Sequence, residues 1–183
     1  MAATYTALIT GVAHSTANKV YLQIFKDATP AVAVRIYRIW AINAQTAAVT
    51  GVLPIIIVAS TSTAASAGSP STVTLAKHDT TSTTYTSGAG GWTFNSGNTT
   101  NGTIVNTYRR LTYSSDEPAT GTFKVDNFYA MPNTALLWDA GYGTSTLEPL
   151  TLPASTAGGI MIYSAGIASA AGTCDIAVEM TIS

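Results

Sequence analysis

Apolar and polar residues alternate with a period of two along several stretches of this chain, and the cleanest stretch is the C-terminal one. Cys174, Ile176, Val178, Met180 and Ile182 take one side, and Thr173, Asp175, Ala177, Glu179, Thr181 and Ser183 take the other. That period places successive side chains on opposite faces of a β-strand, so the run predicts a strand with one buried face. Val20, Leu22 and Ile24 alternate with Lys19, Tyr21 and Gln23 in the same way. Within Ala33–Ile42, Val34, Ile36, Trp40 and Ile42 share one face, while Arg35, Tyr37 and Ile39 take the other. Arg38 intrudes on the apolar face, which points to a domain edge or a subunit contact there.

Further strands are predicted at Tyr5–Ile9, Leu53–Ser60, Thr72–Lys77, Thr103–Tyr113, Thr122–Met131, Ala135–Asp139, Leu147–Leu152 and Gly159–Ser164. Pro149 cannot donate to a ladder, so its strand belongs at an edge or a bulge. Many short strands joined by Gly, Pro, Ser and Asn clusters read as a sandwich or a closed barrel. No stretch sustains a helical period, although Ala41–Thr50 could form one or two helical turns. Two connections are long: Thr61–Ser71, and the Gly/Ser/Thr/Asn-rich Asp79–Thr103. Loops of that length in a compact domain are usually functional or ordered by a partner. Trp92 and Phe94 fall inside the second loop, as a hydrophobic plug or as an exposed contact; large aromatics more often bury themselves.

Composition narrows the class. Of 183 residues only 9% are charged, against about 25% in an average soluble domain, while 31 Thr, 29 Ala, 16 Ser and 15 Gly supply about half the chain. A helical bundle would be rich in Glu, Lys, Leu and Arg, and a disordered tail would lack the 46% apolar content. The net charge is −1 and Arg109-Arg110 is the only adjacent basic pair, so nothing favours a nucleic acid partner. A single cysteine excludes an intramolecular disulfide. The first residues lack the basic region of a secretory signal, and the apolar stretches Gly51–Ala59 and Ile160–Tyr163 are too short for a spanning helix. The expectation is synthesis in a cytoplasm without a signal peptide, and no membrane partner.

Candidate chemistry is sparse. His14 and His78 belong to no triad motif, and no nucleophile elbow occurs. Cys174 lies on the apolar side of its strand and reads as a core thiol. His78-Asp79 offers two metal ligands where zinc needs three or four, so turn chemistry is the better account. Asp116-Glu117 are adjacent, and neighbouring strand residues point opposite ways, unlike the facing carboxylates of a glycosidase. No catalytic residue, cofactor or metal is expected.

Four segments carry a resemblance: RIYRIWAINAQTAAVTGVLPIII (Arg35–Ile57), LAKHDTT (Leu75–Thr81), SSDEPA (Ser114–Ala119) and LLWDAGYGTSTLEPL (Leu136–Leu150). In these the chain resembles small β-rich structural proteins of tailed bacteriophages and related elements. The resemblance implies a virion component, a jelly-roll-like capsid decoration or cement protein, often trimeric. The expectation is therefore an all-β protein, one antiparallel jelly-roll-like sandwich domain over 1–183 with long Gly/Ser/Thr-rich loops. It would associate with itself as a homotrimer and with the major capsid protein on the virion surface. Tyr37, Arg38, Trp92, Phe94, Tyr108, Trp138 and Tyr142 are the candidate interface residues. A tail or fibre-tip module that binds a host receptor or glycan through Trp92 and Tyr85 is the alternative, and a filament subunit is a third.

Overall fold

The computed structural model describes residues 2–14, 19–43, 55–112, 134–140, 148–165 and 173–183. These form two six-stranded antiparallel sheets. The first holds β1 (Ala3–Ala13), β3 (Val34–Asn43), β6 (Leu75–Lys77), β9 (Thr134–Asp139), β10 (Leu150–Leu152) and β12 (Thr173–Ile182). The second holds β2 (Val20–Lys26), β4 (Ile55–Thr61), β5 (Ser66–Thr72), β7 (Trp92–Thr100), β8 (Ile104–Thr112) and β11 (Gly158–Ser164).

The pairs nest from the outside of the chain inward: β1 with β12, β2 with β11, β3 with β9 and β10, and β4 with β8. A nested ribbon rolled so that alternate pairs fall in opposite sheets is the strand order of a jelly roll. The two sheets close on one core that includes Tyr5, Ile36, Ile39, Ile176 and Val178 from the first sheet and Leu22, Ile24, Phe94, Val58 and Ile160 from the second.

The nest is elaborated between β4 and β8. β5 pairs with β7, β4 pairs with β8, and only Ser62–Ala65 and Asn101–Thr103 connect them. The four strands are therefore one long two-stranded ribbon with a bend. At the bend Ser62 N–H donates to Thr103 O at 2.9 Å and Thr103 N–H donates to Thr63 Oγ1 at 2.8 Å. Gly102 lies so close beneath Thr63 that a Cβ would collide with the Thr63 carbonyl. Past the bend the ribbon leans over the outer face of the second sheet, where Ala65 packs with Val20, Ala59, Met161 and Tyr163 in a second apolar cluster. The far end of β7 then pairs with β2, and β6 pairs with β1, so the same segment extends both sheets on one side.

Several sequence expectations change. All seven residues of β2 are buried, Tyr21, Gln23 and Lys26 included, because the ribbon covers the face expected to meet solvent. On β3 the register skips Tyr37 between Ile36↔Met180 and Arg38↔Glu179. That bulge moves every later side chain to the opposite face. Ile39 and Ala41 consequently point into the core, and Arg38 joins Trp40 and Ile42 on the half-exposed side. The apparent intrusion of Arg38 is removed by one extra residue. β5 and β7 replace what reads as loop. The strand expected at Thr122–Met131 lies outside the described residues; of the helical turns expected over Ala41–Thr50, residues 41–43 are instead the end of β3, and 44–50 lie outside the described residues.

Candidate functional site

The side of the sandwich next to β1 and β2 is sealed by aromatic rings. Trp92 stacks on Phe94 with centroids 5.4 Å apart, Tyr85 lies 4.9 Å from Trp92, and Tyr5 lies 5.6 Å from Tyr85. Trp92 is 5% exposed and Phe94 is fully buried. Both fill the core as a plug, which corrects their place among the interface candidates and takes away the ring face a Trp92-based glycan reader needs. Tyr5 Oη donates to Thr83 O at 2.9 Å, and burial raises its pKa above the ordinary tyrosine value.

The opposite side carries the remaining candidates. Arg38 Nε is 3.3 Å from Asp139 Oδ1, and its Nη1 is 3.8 Å from Glu179 Oε2. The register makes these three cross-strand neighbours, with Arg38 on β3 between β9 and β12. Tyr37, the bulged residue, is half-buried, and its carbonyl accepts the Ala140 N–H at 2.8 Å. Tyr108 on β8 and Trp138 on β9 meet across the two sheets with centroids 6.0 Å apart. Tyr142 lies outside the described residues. The structure thus brings Arg38 near the β9 edge, sets Tyr108 against Trp138, and separates both from Trp92 and Phe94.

β8 is the feature that the sequence does not single out. It ends the second sheet, and among the described residues nothing pairs with its outer side. Its residues from Ile104 to Arg110 are all exposed, including Ile104 at 41%, Val105 at 59% and Tyr108 at 39%. A nine-residue edge with apolar side chains and free backbone groups is a ready template for pairing with another chain. The other end strand, β5, is blunted by Pro70 and by positive φ at Ala67 and Gly68.

Several titratable groups are held by burial or by local hydrogen bonds. His14, 1% exposed, has Nδ1 3.0 Å from Tyr21 Oη; burial, with the Lys19 charge nearby, pushes its pKa down to about 4. Burial drives the Tyr21 hydroxyl the other way, far above its usual range. Lys26 Nζ donates to Thr156 O at 2.8 Å, and burial lowers its pKa. Asp79 Oδ1 accepts from both the N–H and the hydroxyl of Thr81 at 2.8 Å, so His78-Asp79 opens a turn, and those bonds hold the Asp79 carboxyl below its usual pKa. Lys77 Nζ donates to Thr80 O, Ser82 O and Thr84 Oγ1, which organises the loop that follows. Cys174 is a buried core thiol. Among the described residues no three His, Cys, Asp or Glu side chains converge, and no helix is long and apolar enough to cross a membrane. No protein family matches the chain, and no curated protein or solved structure is significantly similar to it.

Proposed function

We propose that the protein is a non-enzymatic virion structural protein, a capsid decoration or cement protein that acts as a homo-oligomer on a phage shell. The observation that carries this reading is β8, an edge strand whose outer side pairs with nothing among the described residues and whose exposed residues include Ile104, Val105 and Tyr108. Pairing of this edge with a second copy supplies backbone hydrogen bonds and covers the apolar side chains at once. Arg109 and Arg110 follow directly and set a charge boundary to the patch. The jelly-roll strand order, the scarcity of charge and the sequence resemblance all suit a part that packs closely against copies of itself and a shell.

The test has two stages. Light scattering on the purified protein should give a mass near three times 18.9 kDa. Quantitative proteomics of particles from cells carrying the gene should then find the chain in numbers comparable to the capsid subunit. Its absence from particles, or a handful of copies per particle, would remove the decoration role.

A further inference from the structure

A groove of about 550 Å³ opens between the second half of β1 and the β5–β7 ribbon, away from β8. Its size falls within the range of small-molecule sites, about 300–1,000 Å³. We propose that this groove binds an acidic sugar, with Lys19 as the counter-charge and a set of hydroxyls reading the ring.

The groove is built by two irregularities. In β1 the register with β12 skips from Ile9 to Val12, so Thr10 and Gly11 bulge out together. Gly11 adopts φ +64°, and its N–H donates to Asp175 Oδ1 at 2.8 Å, which pins the bulge. Bulges re-aim side chains and recur beside functional sites. Opposite, the ribbon bends away from β2 beyond Asn95 and presents Ser69, Ser71, Ser96 and Thr99 to the same space.

The chemistry of the lining selects the ligand. Thr10, Ser69, Ser71, Ser96 and Thr99 line it together with Ile9, Val12 and Ala13. Ser96 is only 5% exposed and lies on the lining between the exposed Ser71 and Thr99. Lys19 is the only charged residue in the lining, and it forms no salt bridge among the described residues. Asp175, which faces the bulge, is engaged by the Gly11 N–H. A ligand that offers several hydroxyls, one carboxylate and an apolar C–H face matches this set, and a uronic acid has all three.

The proposal is independent of the assembly reading, because its test is a titration of the isolated protein. Adding D-glucuronate to the ¹⁵N-labelled protein should shift the amide signals of Gly11, Ser96, Gly97 and Thr99 in a saturable way, while D-glucose and sodium sulfate leave them in place. Lys19→Gln and Ser96→Ala should each weaken binding by roughly tenfold or more, as expected for a hydrogen bond to a charged or buried group, with the other signals unmoved. Equal shifts with sulfate would make this a small-anion site, and equal shifts with glucose would remove the role of Lys19. Either result overturns the proposal. So does an unchanged spectrum at tens of millimolar glucuronate.

Discussion

The side chain of Gln23 accepts a 2.6 Å hydrogen bond from the backbone N–H of Ala65, both groups being buried. This bond ties the ribbon to the face it covers. Gln23→Met keeps the volume but leaves the Ala65 N–H without an acceptor, and a buried unpaired donor costs about 1–3 kcal/mol. The loss should sit at the lower end, because Gln23 Nε2 itself has no partner. Urea unfolding measures it, and hydrogen exchange should show faster exchange at Ala65 before the core strands respond.

Gly102→Ala tests the bend directly. A Cβ at this position meets the backbone carbonyl of Thr63, which cannot move aside as a flexible side-chain end could. The variant should lose about 1–3 kcal/mol, the usual cost of overpacking. An unchanged unfolding midpoint would mean that the two ribbon connections do not pack as described.

Trp92→Ala should act on stability. Removing a large buried aromatic costs about 3–5 kcal/mol, and Tyr85 and Phe94 both lose a ring contact. The midpoint of thermal unfolding should fall steeply, and near-ultraviolet circular dichroism should report the lost packing. A variant that melts like the parent would place Trp92 on the surface.

Acid should destabilise the protein through His14. Its folded pKa, about 4, lies below the ordinary 6.5, so the unfolded chain takes up the proton first as pH falls. The stability that neutral His14 carries is complete above pH 6.5 and is lost progressively down to about pH 4. The whole effect amounts to at most about 3 kcal/mol. Urea unfolding across this window measures it, and His14→Asn should flatten the profile while lowering stability at neutral pH.

On the proposed pairing of copies through β8, Val105→Lys should abolish that association and leave the fold alone. Val105 is 59% exposed, and substitutions at such positions usually stay within about 0.5 kcal/mol. A charge on an exposed edge strand discourages edge-to-edge pairing. Light scattering should therefore give a monomer with an unchanged melting curve. An unchanged assembly would move the contact to another surface.

Much of the fold is legible in the strand periods. β12 is readable because one face meets the core and the other does not, so burial and sequence share one period. β2 misleads because the second, polar-looking face is covered by a segment far away in sequence, and local alternation carries no information about that cover. β3 misleads differently, since the Tyr37 bulge breaks the period midway. β5 is invisible because all seven of its residues are exposed and small or polar. β7 buries Trp92 and Phe94, then Ser96 and Asn98, so its second half buries residues that a hydrophobicity pattern counts as solvent-facing. Of the candidate contacts, the sequence offers the aromatic residues as one group. The fold separates a plug from an edge, and only pairing data can do that.

The placement of β12 between β1 and β3 bears on how the chain is made. Neither β1 nor β3 has its principal neighbour until β12 has left the ribosome. β2 waits in the same way for β11. The nascent chain therefore carries open strands through most of translation. A ribosome that stalls or frameshifts before β12 releases a product with unpaired, apolar edges, fit for proteolysis or aggregation. The strand order thus makes synthesis of β12 the step that closes the first sheet.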